Sequence, residues 1–433
     1  MRPSPGWVAI AVVCFASIGG CATSRPTIVD ARAAYYGGQY DLAAEMLDGL
    51  AENGSLASVC QLDLAMVDLA AGRYESASSR LRALRDEFHR RSGAMAGLDP
   101  IGDAAALATD DNAKRFELSP EEQTLVRTLL SIAELAGGGV DAESYSLQAM
   151  MHRAETMRRS VCPADRDIAL TPYVRGLIRE SNHHDYDDAA AAYQLVAATQ
   201  PNFAPIGEDI RRAGGGVHSQ SGHGVLYVFC LTGRGPVLMD VEAETTTAAL
   251  SIASAIWASK VHADDENDAA ALPNIASVRV PAVVVPPSPT AAVQVSVNDQ
   301  PLGMSQTVTD MAAIASRRLE DGMPTIMARA ILRRAAKEAA VAATTRAMGV
   351  TGDAASLLHF AATSTWASIE RADTRCWSLL PREFQVFRVE LPVGVHRVRC
   401  QPVDSFGAAT GPGVERAVEI LDGENEYVVT ASP

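Results

Sequence analysis

The chain has 433 residues, 48% of them hydrophobic and 5% aromatic, enough apolar material for two or three packed cores and too much for a disordered tail. Acidic residues outnumber basic ones by 52 to 37, a formal charge of −15 with no long basic run to offset it. A general nucleic-acid binder is excluded, because neutralising phosphates needs clustered cations.

At the N-terminus, Arg2 precedes an apolar stretch from Trp7 to Ile18, followed by Gly19, Gly20 and Cys21. This is the layout of a secretory signal, and the stretch is too short to span a bilayer. The run Ile18-Gly19-Gly20-Cys21 resembles the bacterial lipobox, where small residues admit the peptidase and the thiol accepts diacylglycerol. Residues 1–20 are therefore expected to be a lipoprotein signal peptide and Cys21 the lipidation site, with the membrane engaged through that N-terminal lipid. An ordinary cleaved signal and an uncleaved anchor are the competing readings. The expected location is the cell envelope, facing the periplasm. Ala22 follows the cysteine where an Asp would retain the protein, which under proteobacterial sorting favours the outer membrane over the inner. Five thiols remain beyond Cys14 and Cys21, namely Cys60, Cys162, Cys230, Cys376 and Cys400. An odd number in an oxidising compartment leaves at least one free or paired between chains. Cys376 and Cys400 are the best candidate pair. No Cys-x-x-Cys occurs, so thioredoxin-type redox chemistry and zinc ribbons have no foothold.

From about residue 27 to 205 the pattern is helical and repeats. Gly38-Gln39-Tyr40-Asp41-Leu42-Ala43 aligns with Gly72-Arg73-Tyr74-Glu75-Ser76-Ala77 at a spacing of 34 residues, the tetratricopeptide period. In each copy a small residue turns the chain, the tyrosine fills the wedge between helices and the alanine permits close approach. Leu47 and Leu50 correspond to Leu81 and Leu84. A third copy runs from His184 to Ala189 and continues to Tyr193 and Pro201, with His184 in place of the turn glycine. Arg91 to Asn112 reads as a long loop. Ser119-Pro120-Glu121-Glu122 combines a capping serine, a proline at the first helical position and a glutamate at the third. That helix ends at Gly137-Gly138-Gly139. Asp141 starts another, predicted to bury Leu147, Met150, Met151 and Ala154, and Thr171-Pro172 starts one more. The expectation is a solenoid of about eight helices over residues 21–212, whose concave surface binds proteins. His183 and His184 with Asp185, Asp187 and Asp188 fall at a turn, where a solvated polar face outweighs a metal cluster.

A breaker-rich linker, Gly214-Gly215-Gly216 to Gly222-His223-Gly224, leads into a second, mixed domain over residues 220–433. His218, Ser219, Ser221 and His223 read as part of that flexible linker, since no Gly-x-Ser-x-Gly elbow accompanies them. The glycines precede a strand, whereas phosphate-cradling glycines follow one, so no nucleotide site is expected. Predicted strands are 225–230, 237–239, 277–285, 292–297, 385–391, 395–400, 413–421 and 427–430, in a largely antiparallel sheet. Helices are predicted over 245–260, over 307–348 with a break at Pro324, and over 354–371. His262 to Asp268 is an acidic loop without calcium-loop spacing. Arg329, Arg333 and Lys337 form a basic row on one face of the long helix, with Ala, Ile and Leu opposite. Asp373, Arg375 and Trp377 make the one dense mixture of charge and aromatic, a candidate structural or binding motif in which Arg375 stacks on Trp377 and is held by Asp373.

This order of lipobox, tetratricopeptide-like helices, a strand opening at Gly224-Val225, the Arg329-Arg333-Lys337 helix, Asp373-Thr374-Arg375 with Trp377 and Leu380-Pro381, and Leu391-Pro392 before Gly394 and His396 resembles a family of bacterial envelope lipoproteins. The resemblance covers nearly the whole mature chain. It implies an envelope location and an accessory role in cell-wall synthesis, and it carries over no catalytic activity. The fold class expected is α+β, an N-terminal tetratricopeptide-like α-solenoid followed by a mixed domain with a largely antiparallel sheet and long helices. The function expected is a lipid-anchored scaffold or adaptor for envelope proteins, with no catalytic, cofactor or metal residues. The alternatives are an envelope enzyme acting on wall or glycan, and a solute-binding lipoprotein.

Overall fold

The computed structural model describes residues 27–52, 54–94, 115–159, 168–261, 277–347, 349 and 371–433. The signal stretch, Cys21, Cys162, the acidic loop from His262 and, but for Arg371, the helix expected over 354–371 lie outside them.

The first helices follow from their caps. Thr27 opens α1 (Ile28–Tyr36) with a capping box in which its hydroxyl accepts the Asp30 amide and the Asp30 carboxylate accepts the Thr27 amide. Then come α2 (Tyr40–Ala51), a single 3₁₀ turn (Gly54–Leu56), α3 (Ala57–Ala70) and α4 (Tyr74–Ala94). Helix α4 runs through Arg91, so the first residues of the expected loop are helical. Ser119 caps α5 (Pro120–Ala136) with the reciprocal Glu122 bond that its sequence forecasts. Helices α6 (Ala142–Arg159), α7 (Leu170–Ser181), α8 (Tyr186–Thr199) and α9 (Ile206–Gly214) complete the layer, each packed on its predecessor.

The turns between them share one geometry. Gly38 and Gly72 have φ of 72° and 74°, and the amides after them reach back five residues, Gln39 to the Ala34 carbonyl at 2.9 Å and Arg73 to that of Asp68 at 2.8 Å. Gly138 closes α5 in the same way. In the third copy the left-handed residue is His183, at φ 60°, one position before the aligned His184. Ala43, Ala77 and Ala189 are all fully buried, as are Leu47, Leu81 and Tyr193 one turn on.

Helix α6 departs from expectation. Its buried face is Ala142, Tyr145, Ser146, Ala149, Arg153 and Thr156, while Leu147 and Met151 are 47% and 64% exposed. The ring of Tyr145, beneath Arg82 and Arg85 of α4, and the close-packing Ala149 decide which face turns inward, and the longer apolar side chains are left outside.

Among the described residues, three sheets replace the single one expected. Strand β1 (His223–Arg234) is central in a four-stranded mixed sheet, parallel to β10 (Asn425–Ser432) and antiparallel to β7 (Pro381–Pro392), with β6 (Gln306–Asp310) at the far edge. Both faces of β1 are covered. Val225, Tyr227, Phe229 and Leu231 point into the core formed with the helices, whereas Leu226, Val228 and Cys230 meet a second sheet. That second sheet is antiparallel, in the order β5 (Gln300–Met304), β4 (Ala292–Val297), β8 (Gly394–Val403), β9 (Val414–Ile420). Asn298 and Asp299, both at positive φ, make the two-residue hairpin between β4 and β5. The architecture is thus α+β, in three layers of helices, mixed sheet and antiparallel sheet, and the helices share one continuous core with the mixed sheet.

A smaller unit stands beside them. Strands β2 (Val237–Glu244) and β3 (Ser277–Val284) pair with each other and pack with α10 (Thr247–Val261) and α11 (Met311–Ala347) around a separate core. Residues 307–310, expected to be helical, instead belong to β6, and α11 continues through Pro324. Arg333 is 2% exposed, buried with Met327, Ile331 and Ala335, so the expected basic row is interrupted at its centre. Cys60, Cys230, Cys376 and Cys400 are free thiols, and the candidate pair Cys376 and Cys400 is not joined. Cys400 lies in the core between the two sheets, while Cys376 lines a different cavity.

Candidate functional site

A cavity of about 1040 Å³ opens where the helical layer meets the smaller unit, at the top of the roughly 300–1,000 Å³ range of small-molecule sites. One wall is the start of α5, set by its capping box, with the preceding Phe116 and Leu118. A second is the N-terminal half of α11. The floor is the segment from Arg375 to Leu380, and the beginning of β2 and end of β3 close the side. Most of the lining is apolar, including Leu238, Ile314, Leu319 and Ile326.

The two arginines of the lining are both paired with carboxylates. Arg318 of α11 forms an ion pair with Glu121 of α5, which is 3% exposed. Burial raises the Glu121 carboxyl above the ordinary range, and the Arg318 charge opposes that rise. Glu122 is raised by burial too, while its bonds to the Ser119 cap pull the other way. Arg375 donates from Nε and a terminal nitrogen to Asp373 at 2.9 and 2.6 Å, a two-point geometry that fixes the guanidinium. Burial pushes the Cys376 thiol up to about 11, so it is not a ready nucleophile at neutral pH.

The motif singled out in the sequence therefore lies on the cavity floor, with its parts differently arranged. Asp373 holds Arg375 as expected. The ring contact expected between Arg375 and Trp377 is not among those of the described residues. Trp377 is instead 1% exposed, and its indole Nε1 donates to the Leu62 carbonyl of α3 at 3.2 Å. Beside it, Asp63 of α3 accepts from the Ser378 hydroxyl and from the Leu379 amide, the latter at 2.9 Å. Burial raises Asp63 to about 6. The segment is clamped to the helical layer from behind while its other side faces the cavity.

The remaining sequence candidates fall elsewhere. His183 bonds the Gly423 carbonyl at 2.7 Å, and Asp185 and Asp188 hold Arg179 at 2.8 and 2.9 Å. Among the described residues no cluster could hold a metal ion. His218 is buried, not part of a flexible linker, bonding Asn425 of β10 at 2.8 Å and resting edge-on against His183. Sequence reasoning missed Glu121 and Arg318 as partners. The Ser119-Pro120-Glu121-Glu122 run carried a helix-start signal only, and no spacing rule links it to a residue almost 200 positions away.

No family model matches the chain, and neither does any curated protein or solved structure.

Proposed function

We propose that the chain is a lipid-anchored cell-envelope scaffold or adaptor, akin to the lipoprotein family its sequence resembles, with an accessory role in cell-wall synthesis. Its helices act as a tetratricopeptide-like solenoid that presents one face to protein partners. The anchor is Cys21, six positions before the cap of α1. At roughly 3.5 Å per extended residue, the helical layer is tethered within about 20 Å of the lipid.

One observation carries the reading. Leu147 and Met151, one turn apart on α6, are apolar side chains that a helix ordinarily buries, and here they face outward from the helical layer. A photo-cross-linking residue at 147 or 151 in cells should give adducts with envelope proteins. The same residue at 211, exposed on α9, should not. If all three positions give identical patterns, α6 is not the docking face. Mass measurement of the mature protein checks the anchor separately, by the added acyl groups on Cys21.

A second reading, a solute-binding envelope lipoprotein, is favoured by the cavity, whose apolar walls and paired arginines provide a half-open site for a small molecule.

A further inference from the structure

We infer that the cavity between α5, α11 and the Arg375 to Leu380 segment binds a long unbranched acyl chain that carries no anionic head group. This deepens the solute-binding reading and rests on it. The walls are mostly apolar, and the volume exceeds what a few apolar side chains leave between packed elements.

The charges decide the class. An anionic head would need a cation, and the two arginines of the lining are already engaged, Arg318 by Glu121 and Arg375 by Asp373. Glu117 and Glu122, also in the lining, are acidic and would repel a carboxylate or phosphate. What the site accepts without breaking an ion pair is an uncharged chain, such as that of a glyceride.

Position supplies the source. The floor segment is tied to α1, since the Tyr36 hydroxyl reaches the Ser378 carbonyl at 3.4 Å. The cap of helix α1, Thr27, lies six residues after Cys21. The acyl chain comes either from a neutral membrane lipid or from the protein's own lipidated cysteine.

The test uses the full-length chain in amphipol, as wild type and as Cys21→Ala, with a fluorescent monoacylglycerol as probe and unlabelled lipids as competitors. 1-Monopalmitoylglycerol should displace the probe at a concentration at least tenfold below that of palmitate or a lysophosphatidylglycerol. Each two-carbon shortening should weaken it about tenfold. Ala315→Trp, which projects a bulky ring from the wall into the cavity, should lose at least tenfold in probe binding with an unchanged circular dichroism spectrum. Leu319→Gln serves as the second variant should the tryptophan unfold the protein. Probe uptake by Cys21→Ala but not by lipidated wild type identifies the protein's own lipid as occupant, and equal uptake by both identifies a membrane lipid. Palmitate competing as well as the glyceride, or affinity independent of chain length, overturns the inference. Probe binding untouched by both variants also overturns it. A polar solute that binds the wild type and is excluded by Ala315→Trp would sink the acyl assignment while leaving the solute-binding reading intact. Exclusion of every ligand offered would sink both.

Discussion

Asp63 shows how much one buried carboxyl does here. It is fully buried in α3, yet it accepts two bonds that hold the Ser378 hydroxyl and the Leu379 amide and so fix the cavity floor. Asp63→Ala should strand both donors and cost about 1–3 kcal/mol, read from urea midpoints. Asp63→Asn keeps an acceptor for the amide and a donor for the hydroxyl, so its effect is governed by charge. Burial pushes the folded carboxyl up to about 6, above the 3.8 of an exposed aspartate. The folded state therefore binds the extra proton between those values, and stability falls as pH rises through that window. Relative to wild type, Asp63→Asn should gain urea resistance between pH 4 and 7 and show no further gain above it. A constant difference from pH 4 to 8 would mean that Asp63 does not titrate there.

At the scale of elements, the hairpin turns and the helix contacts they permit can be tested apart. Gly38 sits at φ 72° with nothing within 4 Å of the position a Cβ would take, so Gly38→Ala meets only the left-handed backbone penalty, about 1–2 kcal/mol. Gly176 has ordinary helical backbone in α7, but a Cβ there would come within 2.5 Å of the Tyr193 ring of α8. That ring is locked by its hydroxyl bond to Glu180 at 2.7 Å and by tilted packing on Tyr173. Gly176→Ala should therefore separate α7 from α8 and cost about 1–3 kcal/mol. Hydrogen exchange should locate the loosening: confined to the α1 to α2 turn for Gly38→Ala, spread along α7 and α8 for Gly176→Ala.

For the whole molecule, the continuous core of helices and mixed sheet predicts one cooperative transition for those two layers. Trp377 joins them, its ring buried and its indole bonded into α3. Trp377→Ala should cost about 3–5 kcal/mol. It should lower the helix signal and the near-ultraviolet signal together in a urea titration. If the helical signal persisted at denaturant concentrations where the sheet had melted, residues 27–214 would be an independent domain. The unit formed by α10, α11, β2 and β3 has its own core and meets the rest partly across the cavity, so it is expected to exchange its amides faster.

Local chemistry was enough to place much of this fold. The capping boxes at Thr27 and Ser119, the glycine turns 34 residues apart and the unbroken apolar run of β1 each depend on neighbours within a few positions, so they are legible in one dimension. The Asp373–Arg375 pair was legible for the same reason. What lay beyond reach were choices that depend on distant partners. Helix α6 carries two possible buried faces, and Tyr145 packing under Arg82 and Arg85 selected the one with shorter side chains. Thr307 to Asp310 has helical neighbours but completes a sheet edge against β7. Trp377 left Arg375 for a carbonyl of α3, 315 positions away. The cavity itself is bounded by α5, α11, two strands and a loop, and its ion pair joins Glu121 to Arg318. Sequence by itself determined the α+β class and where most elements begin and end, because caps, turns and periodicity act over a few residues. Tertiary structure alone decided which faces are buried and which charges are spent, because both depend on groups brought together only when the chain closes on itself.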